Sequence, residues 1–234
     1  MPLLQPDRLF PQNKRTLGLA KDLYQNIAKL PIISPHGHCD PSWFSENKRF
    51  PDPAQLFVVP DHYVFRMLVS QGFTLSELGV NAIDGSNFEK DPKEIWKKFS
   101  ENYYLFRGTP TAMWLDYSFE KVFGITELLT PATSDFYYSQ IEEKLTQPEY
   151  LPRALFDKFN IEVLSTTDSA TSDLSQHTEL KKSNWNGRVI PTYRPDSVVD
   201  PESFEFNNIL VKLGEFANED TNSWDGYLNA HRSR

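Results

Sequence analysis

Two histidines stand one residue apart where a short apolar run ends. The stretch PIISPHGHCDP, residues 31–41, places His36 and His38 on either side of Gly37. Alternate side chains of a β-strand project to the same face, so both imidazoles can reach one cation at roughly 2.0–2.1 Å. The spacing alone fits hydrogen-bonded caps at a strand end equally well. The preceding Pro-Ile-Ile and the following Asp-Pro favour a metal-binding pair.

Cys39, which follows the pair, is the single cysteine of the chain. A lone cysteine excludes a disulfide framework within the chain and any cysteine-based zinc cluster, so a metal here needs histidine and carboxylate ligands. Alternation along the strand puts Cys39 on the face opposite the histidines, where Gly37 removes bulk. Cys39 is therefore left out of the predicted metal site.

A second polar group falls in PDHYVFRMLVSQG, residues 60–72. Asp61 is a good N-cap and Gly72 a stop signal, which predicts a helix over 61–70. Helical periodicity gathers the apolar side chains on one side and the following polar set on the other: His62, Tyr63, Arg66 and Ser70. This set offers an imidazole, a phenol and a guanidinium for acid–base chemistry. The alternative is an ordinary solvated helix face.

A third group of polar residues stands at the ends of two later apolar runs. In TYRPD, residues 192–196, Pro195 ends ladder pairing and biases Arg194 towards an extended conformation. A guanidinium held there can bind a carboxylate or an enediolate oxygen through two parallel hydrogen bonds, although a surface arginine in a turn is the alternative. Asp168, after Thr166 and Thr167, is expected to cap the following helix, or else to orient a metal ligand.

The elements that must position these side chains follow a βα alternation. Helices are predicted over 13–29, 61–70, 91–102, 111–123 and 134–145, and strands over 31–36, 161–168 and 187–196. Such alternation indicates an α/β fold with a parallel sheet covered by helices. In these folds sites are built at the carboxyl ends of strands, and each of the three predicted strands ends in polar, potentially reactive residues.

Composition narrows the function classes. The chain has 234 residues, 39% of them hydrophobic, which suffices for the core of one ordinary domain. A net charge of −8 without a basic stripe argues against nucleic-acid binding. We expect no membrane span, because a run of roughly 20 apolar residues is missing, and no signal peptide, so the expected location is the cytoplasm.

Taken in order, the motifs resemble one family. LPIISPHGHCDP, ENKRFPDPAQLFVVPDHYVFRML, WLDYSFEKVFGI, LSTTDSATSDL and VIPTYRPD are similar to the uronate isomerase (glucuronate isomerase) family of the amidohydrolase superfamily. The resemblance implies a distorted (β/α)8 TIM barrel in a single domain, with a helical insertion over 41–157. It also implies one divalent metal, commonly zinc, and interconversion of D-glucuronate with D-fructuronate, or of D-galacturonate with D-tagaturonate.

The resemblance also implies roles for five residues of this sequence. His36 and His38 correspond to metal ligands, Tyr63 to a catalytic residue at the substrate, and Arg194 to a catalytic and substrate-binding residue. His62 corresponds to a substrate contact. The reaction moves a proton between neighbouring carbons through an enediolate, and a tyrosine can act as the base only when a nearby cation lowers its pKa.

The chain departs from this family in length. Family members are roughly twice as long, and their further metal and substrate residues would lie beyond position 234. We therefore expect this chain to represent the amino-terminal part of the barrel and to be inactive when isolated. Two other classes stay open: a metal-dependent hydrolase of the same superfamily, and a non-catalytic half that needs a partner chain. A homo-oligomer is a further possible assembly.

Overall fold

A computed structural model describes residues 3–234, which form two compact units. The helical unit comprises the residues up to Lys29 together with Arg49–Leu151. The sheet unit comprises Leu30–Lys48 and Pro152–Arg234. The prediction of a helical insertion at 41–157 within one barrel domain stays a prediction.

The helical unit is built from six α-helices: α1 Lys14–Ile27, α3 Pro53–Phe57, α4 His62–Val69, α5 Pro92–Glu101, α6 Pro110–Tyr117 and α7 Ser134–Leu145. Short 3₁₀ turns lie between these helices at Ser76–Leu78, Tyr103–Phe106 and Pro131–Thr133, and another follows α7 at Pro148–Tyr150. Several helices begin with proline after a capping residue, and the Asp91 carboxylate, for example, accepts from the Lys93 backbone N–H at 2.9 Å. The sequence signals for helix starts are therefore confirmed.

The helix predicted over 111–123 is not a single α-helix. It runs as α6 to Tyr117 and continues as one π-helical turn, Ser118–Val122. The Ser118 hydroxyl donates to the Trp114 carbonyl at 2.9 Å, a local bond that competes with regular helix geometry. The widened turn accompanies ring contacts of both Phe119 and Phe123 with Phe57, at centroid distances of 5.5 and 5.8 Å.

The sheet unit carries a three-stranded parallel sheet in the order β1-β2-β3, with strands Ile32–Gly37, Ile161–Ser169 and Arg188–Arg194. Its helices are α2 Pro41–Glu46, α8 Pro152–Lys158, α9 Ser175–Lys182, α10 Phe206–Ala217 and α11 Trp224–Ser233, with a 3₁₀ turn at Asp196–Val198. The three predicted strands and their parallel arrangement are confirmed. Their carboxyl ends meet at one edge of the sheet.

One face of this sheet packs on helices. Leu164 of β2 belongs to a buried cluster with Phe44, Phe156 and Leu180, while Tyr193 of β3 packs on a second buried cluster. Alternation places Thr166 and Asp168 on the same covered face as Leu164. The register between β2 and β3 agrees with this placement, because Asp168 pairs with Tyr193, which lies on the covered face.

The fold class is α/β, with a small parallel sheet and many helices. Strands β1 and β3 are the two outer strands of the sheet. Among residues 3–234 no helix is long and apolar enough to cross a bilayer. The closed (β/α)8 barrel stays a prediction.

Candidate functional site

The two histidines at the end of β1 turn their rings towards each other. Nε2 of His36 lies 2.7 Å from Nε2 of His38, with ring centroids 4.8 Å apart and ring planes at 62°. At this distance the nitrogens share a hydrogen bond, so one ring donates an N–H and the other accepts with a lone pair. Both side chains are exposed. The pair thus presents converging nitrogens to solvent at the carboxyl end of the sheet.

This geometry is close to that of a metal-binding pair. Two nitrogens held by one tetrahedral zinc at roughly 2.0–2.1 Å stand roughly 3.3–3.4 Å apart, so the rings would open by roughly 0.6 Å and lose the shared proton. Within the described residues no cluster of three or more His, Cys, Asp or Glu side chains joins them. The donor set fits a divalent cation but provides only two of the ligands that such an ion needs.

Gly37 explains why the chain can hold this pair. A Cβ at position 37 would lie 2.8 Å from the backbone oxygen of Ser165 and 3.0 Å from Cδ1 of Leu164, both on β2. The register between β1 and β2 is irregular just before this point, between Ser34 and Gly37. Only glycine permits so close an approach, as the sequence predicted, and His36 is consequently turned to the opposite face of the sheet.

Arg194 ends β3 on that same opposite face. Its neighbour Tyr193 occupies the helix-covered face, so alternation turns Arg194 to the face of His36. The guanidinium donates from Nε and Nη2 to the two carboxylate oxygens of Asp196, at 3.0 and 3.2 Å. This fork raises the pKa of Arg194 and lowers the pKa of Asp196. An anionic ligand would therefore use the other edge of the guanidinium or displace Asp196.

The expected cap at Asp168 is wrong. Strand β2 continues through Ser169, and α9 begins at Ser175 with Leu174 at the N-cap position, so Asp168 stands too far upstream. The local carboxylate that bonds the start of α9 is Asp173, which accepts from the Ser175 N–H at 2.9 Å. Asp168 also lies on the helix-covered face, opposite His36. It therefore does not bond directly to a ring of the pair.

Asp168 belongs instead to a buried polar cluster that the sequence did not reveal. Thr166 Oγ1 lies 2.6 Å from Asp168 Oδ2 and 2.8 Å from His177 Nε2, a ring carried by α9. Burial lowers the pKa of His177, with the Asp168 charge opposing that shift. No single motif marks this cluster, because its members become neighbours only when α9 packs on β2.

The other two predicted residues, His62 and Tyr63, lie in the helical unit on α4. Asp61 caps this helix, its carboxylate accepting from the Tyr63 backbone N–H at 2.8 Å. Val64 and Leu68 are fully buried, whereas Tyr63 is 53% exposed, which confirms the two predicted faces. The rings of His62 and Tyr63 lie 4.2 Å apart and tilted by 34°. The helix thus presents an imidazole and a phenol side by side.

The helical unit also holds a cavity of about 270 Å³, lined in part by Tyr103, Arg107 and Asp116. The Tyr103 hydroxyl donates to Asp116 at 2.7 Å, and burial raises the pKa of both groups. This hydrogen bond joins α6 to the Tyr103–Phe106 turn. None of the five site residues predicted from the sequence lines this cavity.

Comparisons with known proteins agree on one family. A family model described as glucuronate isomerase matches residues 12–234. Uronate isomerases of Rhizobium meliloti and Mesorhizobium japonicum are 56% and 52% identical over 232 residues, 99% of this chain and 50% of each relative. The chain spans about half the length of the curated relatives it matches.

Two solved structures share the fold. The crystal structure of glucuronate isomerase from Caulobacter crescentus superposes with a TM-score of 0.93 at 45% identity, covering 99% of this chain and 48% of that one. Uronate isomerase from Thermotoga maritima gives a TM-score of 0.83 at 29% identity, covering 98% and 48%. The resemblance inferred from the motifs is confirmed: the chain belongs to the glucuronate isomerase family of uronate isomerases.

Proposed function

We propose that this chain contributes the amino-terminal half of a hexuronate aldose–ketose isomerase. The reaction interconverts D-glucuronate with D-fructuronate, or D-galacturonate with D-tagaturonate. The single observation that carries the proposal is the convergence of His36 and His38, 2.7 Å apart, at the end of β1 in a chain of this family. The location proposed for the protein is the cytoplasm.

In this proposal the three-stranded sheet is the first part of a distorted (β/α)8 TIM barrel of the amidohydrolase type. The remaining strands would come from sequence that corresponds to the other half of the relatives. A parallel sheet with outer strands left unpaired exposes backbone N–H and C=O groups, which a closed barrel pairs. Completion of the barrel would therefore stabilise the sheet and supply the further ligands that His36 and His38 need.

Each predicted residue has a task in the isomerisation. Tyr63 removes the proton from C2 of the aldose and returns it to C1, while the O2 proton passes to O1 and the carbonyl moves to C2. Arg194 binds the substrate carboxylate or stabilises the enediolate oxygen through its free guanidinium edge. His62, whose ring lies beside that of Tyr63, contacts the substrate.

His36 and His38 would hold one divalent cation, most simply zinc, which when bound polarises the substrate oxygen next to the proton that moves. The pair must be neutral for this, so protonation of either ring competes with metal binding. With two protein ligands from this half, the proposed site is incomplete until the rest of the barrel contributes. The isolated chain is accordingly expected to show little or no turnover.

The test compares the purified chain with a reconstituted barrel. The chain is assayed with D-glucuronate and D-galacturonate in the presence of zinc, alone and mixed with the carboxy-terminal half of the Rhizobium meliloti relative. Turnover in the mixture only is the expected result. The His36→Asn variant serves as the control that should abolish it. Turnover by the chain alone at the rate of the whole relative would contradict the need for a second half.

The same mixture separates the alternatives. In deuterated water an isomerase places label on substrate carbon, whereas a metal-dependent hydrolase does not. Size-exclusion chromatography of the chain alone distinguishes a homo-oligomer from a monomer that awaits its other half. A mixture that assembles but labels no carbon would favour the non-catalytic alternative.

A further inference from the structure

We propose that the buried cluster of Thr166, Asp168 and His177 is a positioning device that sets the spacing of His36 and His38. The inference rests on the proposed function of that pair in binding a divalent cation. None of the three cluster residues touches the pair directly. Their effect passes through the backbone of β2, on which β1 lies.

The cluster has a defined hydrogen-bond direction. A hydroxyl has one proton, and the shorter contact, 2.6 Å to a carboxylate oxygen, identifies Asp168 as the acceptor from Thr166. Thr166 then accepts from Nε2–H of His177 at 2.8 Å, which assigns the ring tautomer. Thr166 is 1% exposed and His177 is 4% exposed, so water does not replace these bonds. The end of β2 is thereby tied to α9.

The cluster is connected to His36 and His38 through one close contact between β2 and β1. Thr166 pairs directly with Gly37, the residue between the two histidines. Because the Cβ position of Gly37 lies 2.8 Å from the Ser165 carbonyl, the two backbones are already in contact and β1 cannot move inward. A shift of β2 at Thr166 therefore displaces Gly37 and changes the angle between the flanking imidazoles.

Burial and the Lys181 charge favour a neutral His177, whereas the Asp168 charge opposes them. Asp168 faces it from β2, with 3.8 Å between Oδ2 and Nε2, and Lys181 lies one turn further along α9. Nδ1 of His177 is buried and has no hydrogen-bond partner among the described residues. An unpaired lone pair on Nδ1 costs less free energy than an unpaired, buried N–H⁺ at the same atom would. The neutral tautomer with its proton on Nε2 is therefore the form that donates to Thr166.

Cobalt(II) binding to the intact chain tests the proposal. Thr166→Val keeps the side-chain shape but removes the hydroxyl, and we expect it to weaken cobalt affinity about tenfold, as loss of a supporting hydrogen bond commonly does. Thr166→Ser restores the hydroxyl and should stay within about twofold of the wild type. Asp168→Asn gives a second, shape-conserving variant should the valine variant unfold.

The matched control is His231→Gln. His231 is a half-buried histidine of the sheet unit, and its Nδ1 lies 2.6 Å from the hydroxyl oxygen of Tyr193, a residue that does not pair with Gly37. This variant should lower the melting temperature while leaving cobalt affinity unchanged. An equal loss of affinity in the control would show a general effect of destabilisation and would overturn the proposal.

A metal-free measurement keeps the two proposals apart. Amide hydrogen exchange at Gly37 should be faster in Thr166→Val by about tenfold and unchanged in Thr166→Ser, whether or not cobalt binds. Failure of the wild-type chain to bind cobalt, with this exchange pattern intact, would count against the metal pair alone. Unchanged exchange at Gly37 in both Thr166→Val and Asp168→Asn would show that the cluster does not position β1.

Discussion

The two units of this chain differ in how they use buried side chains. The helical unit is centred on fully buried aromatic rings: Trp96, Phe99, Phe106, Phe119 and Tyr137. The sheet unit has two small apolar clusters and, between strand and helix, a buried polar cluster around Thr166. Its outer strand β1 leaves Ile33 63% exposed. One unit is stabilised mainly by packing, and the other combines modest packing with directional hydrogen bonds.

This difference indicates how each unit should respond to substitution. Aromatic packing is non-directional and loses stability in proportion to the volume removed. At a hydrogen-bonded strand end, a small displacement of the backbone can break a bond although the buried surface area hardly changes. Four substitutions or conditions test this contrast, and their expected effects decrease in the order given.

The largest effect is expected in the aromatic core. Phe119→Ala removes a fully buried ring that contacts Phe57 and Tyr137, and it should lower the free energy of unfolding by about 3–5 kcal/mol. Urea denaturation followed by tryptophan fluorescence measures the loss. Phe204→Ala, which removes a side chain 97% exposed in the sheet unit, is the control and should change stability by less than about 0.5 kcal/mol.

The next effect is expected at the strand end. Gly37→Ala places a methyl group 2.8 Å from the Ser165 carbonyl and should cost about 1–3 kcal/mol, together with loss of cobalt binding. Gly18→Ala, in α1 with no atom near the added methyl, should be neutral or stabilising by about 0.5–1 kcal/mol. Thermal unfolding and cobalt titration of both variants give the comparison. Equal stability and equal cobalt affinity in Gly37→Ala would mean that β1 can move away freely.

Acid should weaken the sheet unit selectively. Burial lowers the pKa of His177 and of His231 below the ordinary value of 6.5, so between the folded and unfolded values the unfolded chain binds more protons. Stability therefore rises with pH through this window and falls as the pH drops below about 6.5, by at most about 1.4 kcal/mol per pH unit for each ring.

Urea denaturation between pH 7.5 and 5 measures that slope. The double variant His177→Gln with His231→Gln should flatten it. A double variant that keeps the wild-type slope would assign the pH dependence to other groups.

The smallest effect is expected at a helix start. Asp61→Ala removes the carboxylate that accepts from the Tyr63 N–H and should cost about 1 kcal/mol, since one backbone donor of α4 loses its partner. Asp61→Asn retains an acceptor and should restore most of the stability. Circular dichroism melting curves of the two variants provide the measurement. A loss in Asp61→Asn equal to that in Asp61→Ala would exclude capping as the cause.

Local signals predicted the elements well. Caps and prolines at the starts of α4 and α5, and apolar runs ending in polar residues, located the predicted helices and strands to within one or two residues, except for the end of α6. The π turn after α6 was missed because its cause, a serine bonding back to the Trp114 carbonyl, competes with helix geometry without ending the helical pattern. The role of Asp168 was mistaken because a cap and a strand residue look alike before the length of β2 is known.

By itself the sequence determined the parallel α/β class, the His36–Gly37–His38 pair and the family, since these depend on residue order and on alternation within single elements. Only the tertiary structure decided that Thr166, Asp168 and His177 form one cluster, and that Arg194 is already paired with Asp196. Those contacts depend on how α9 packs on β2 and how the chain turns after β3. Neither is encoded in a local pattern, because many sequences share the same periodicity while their side chains meet different neighbours.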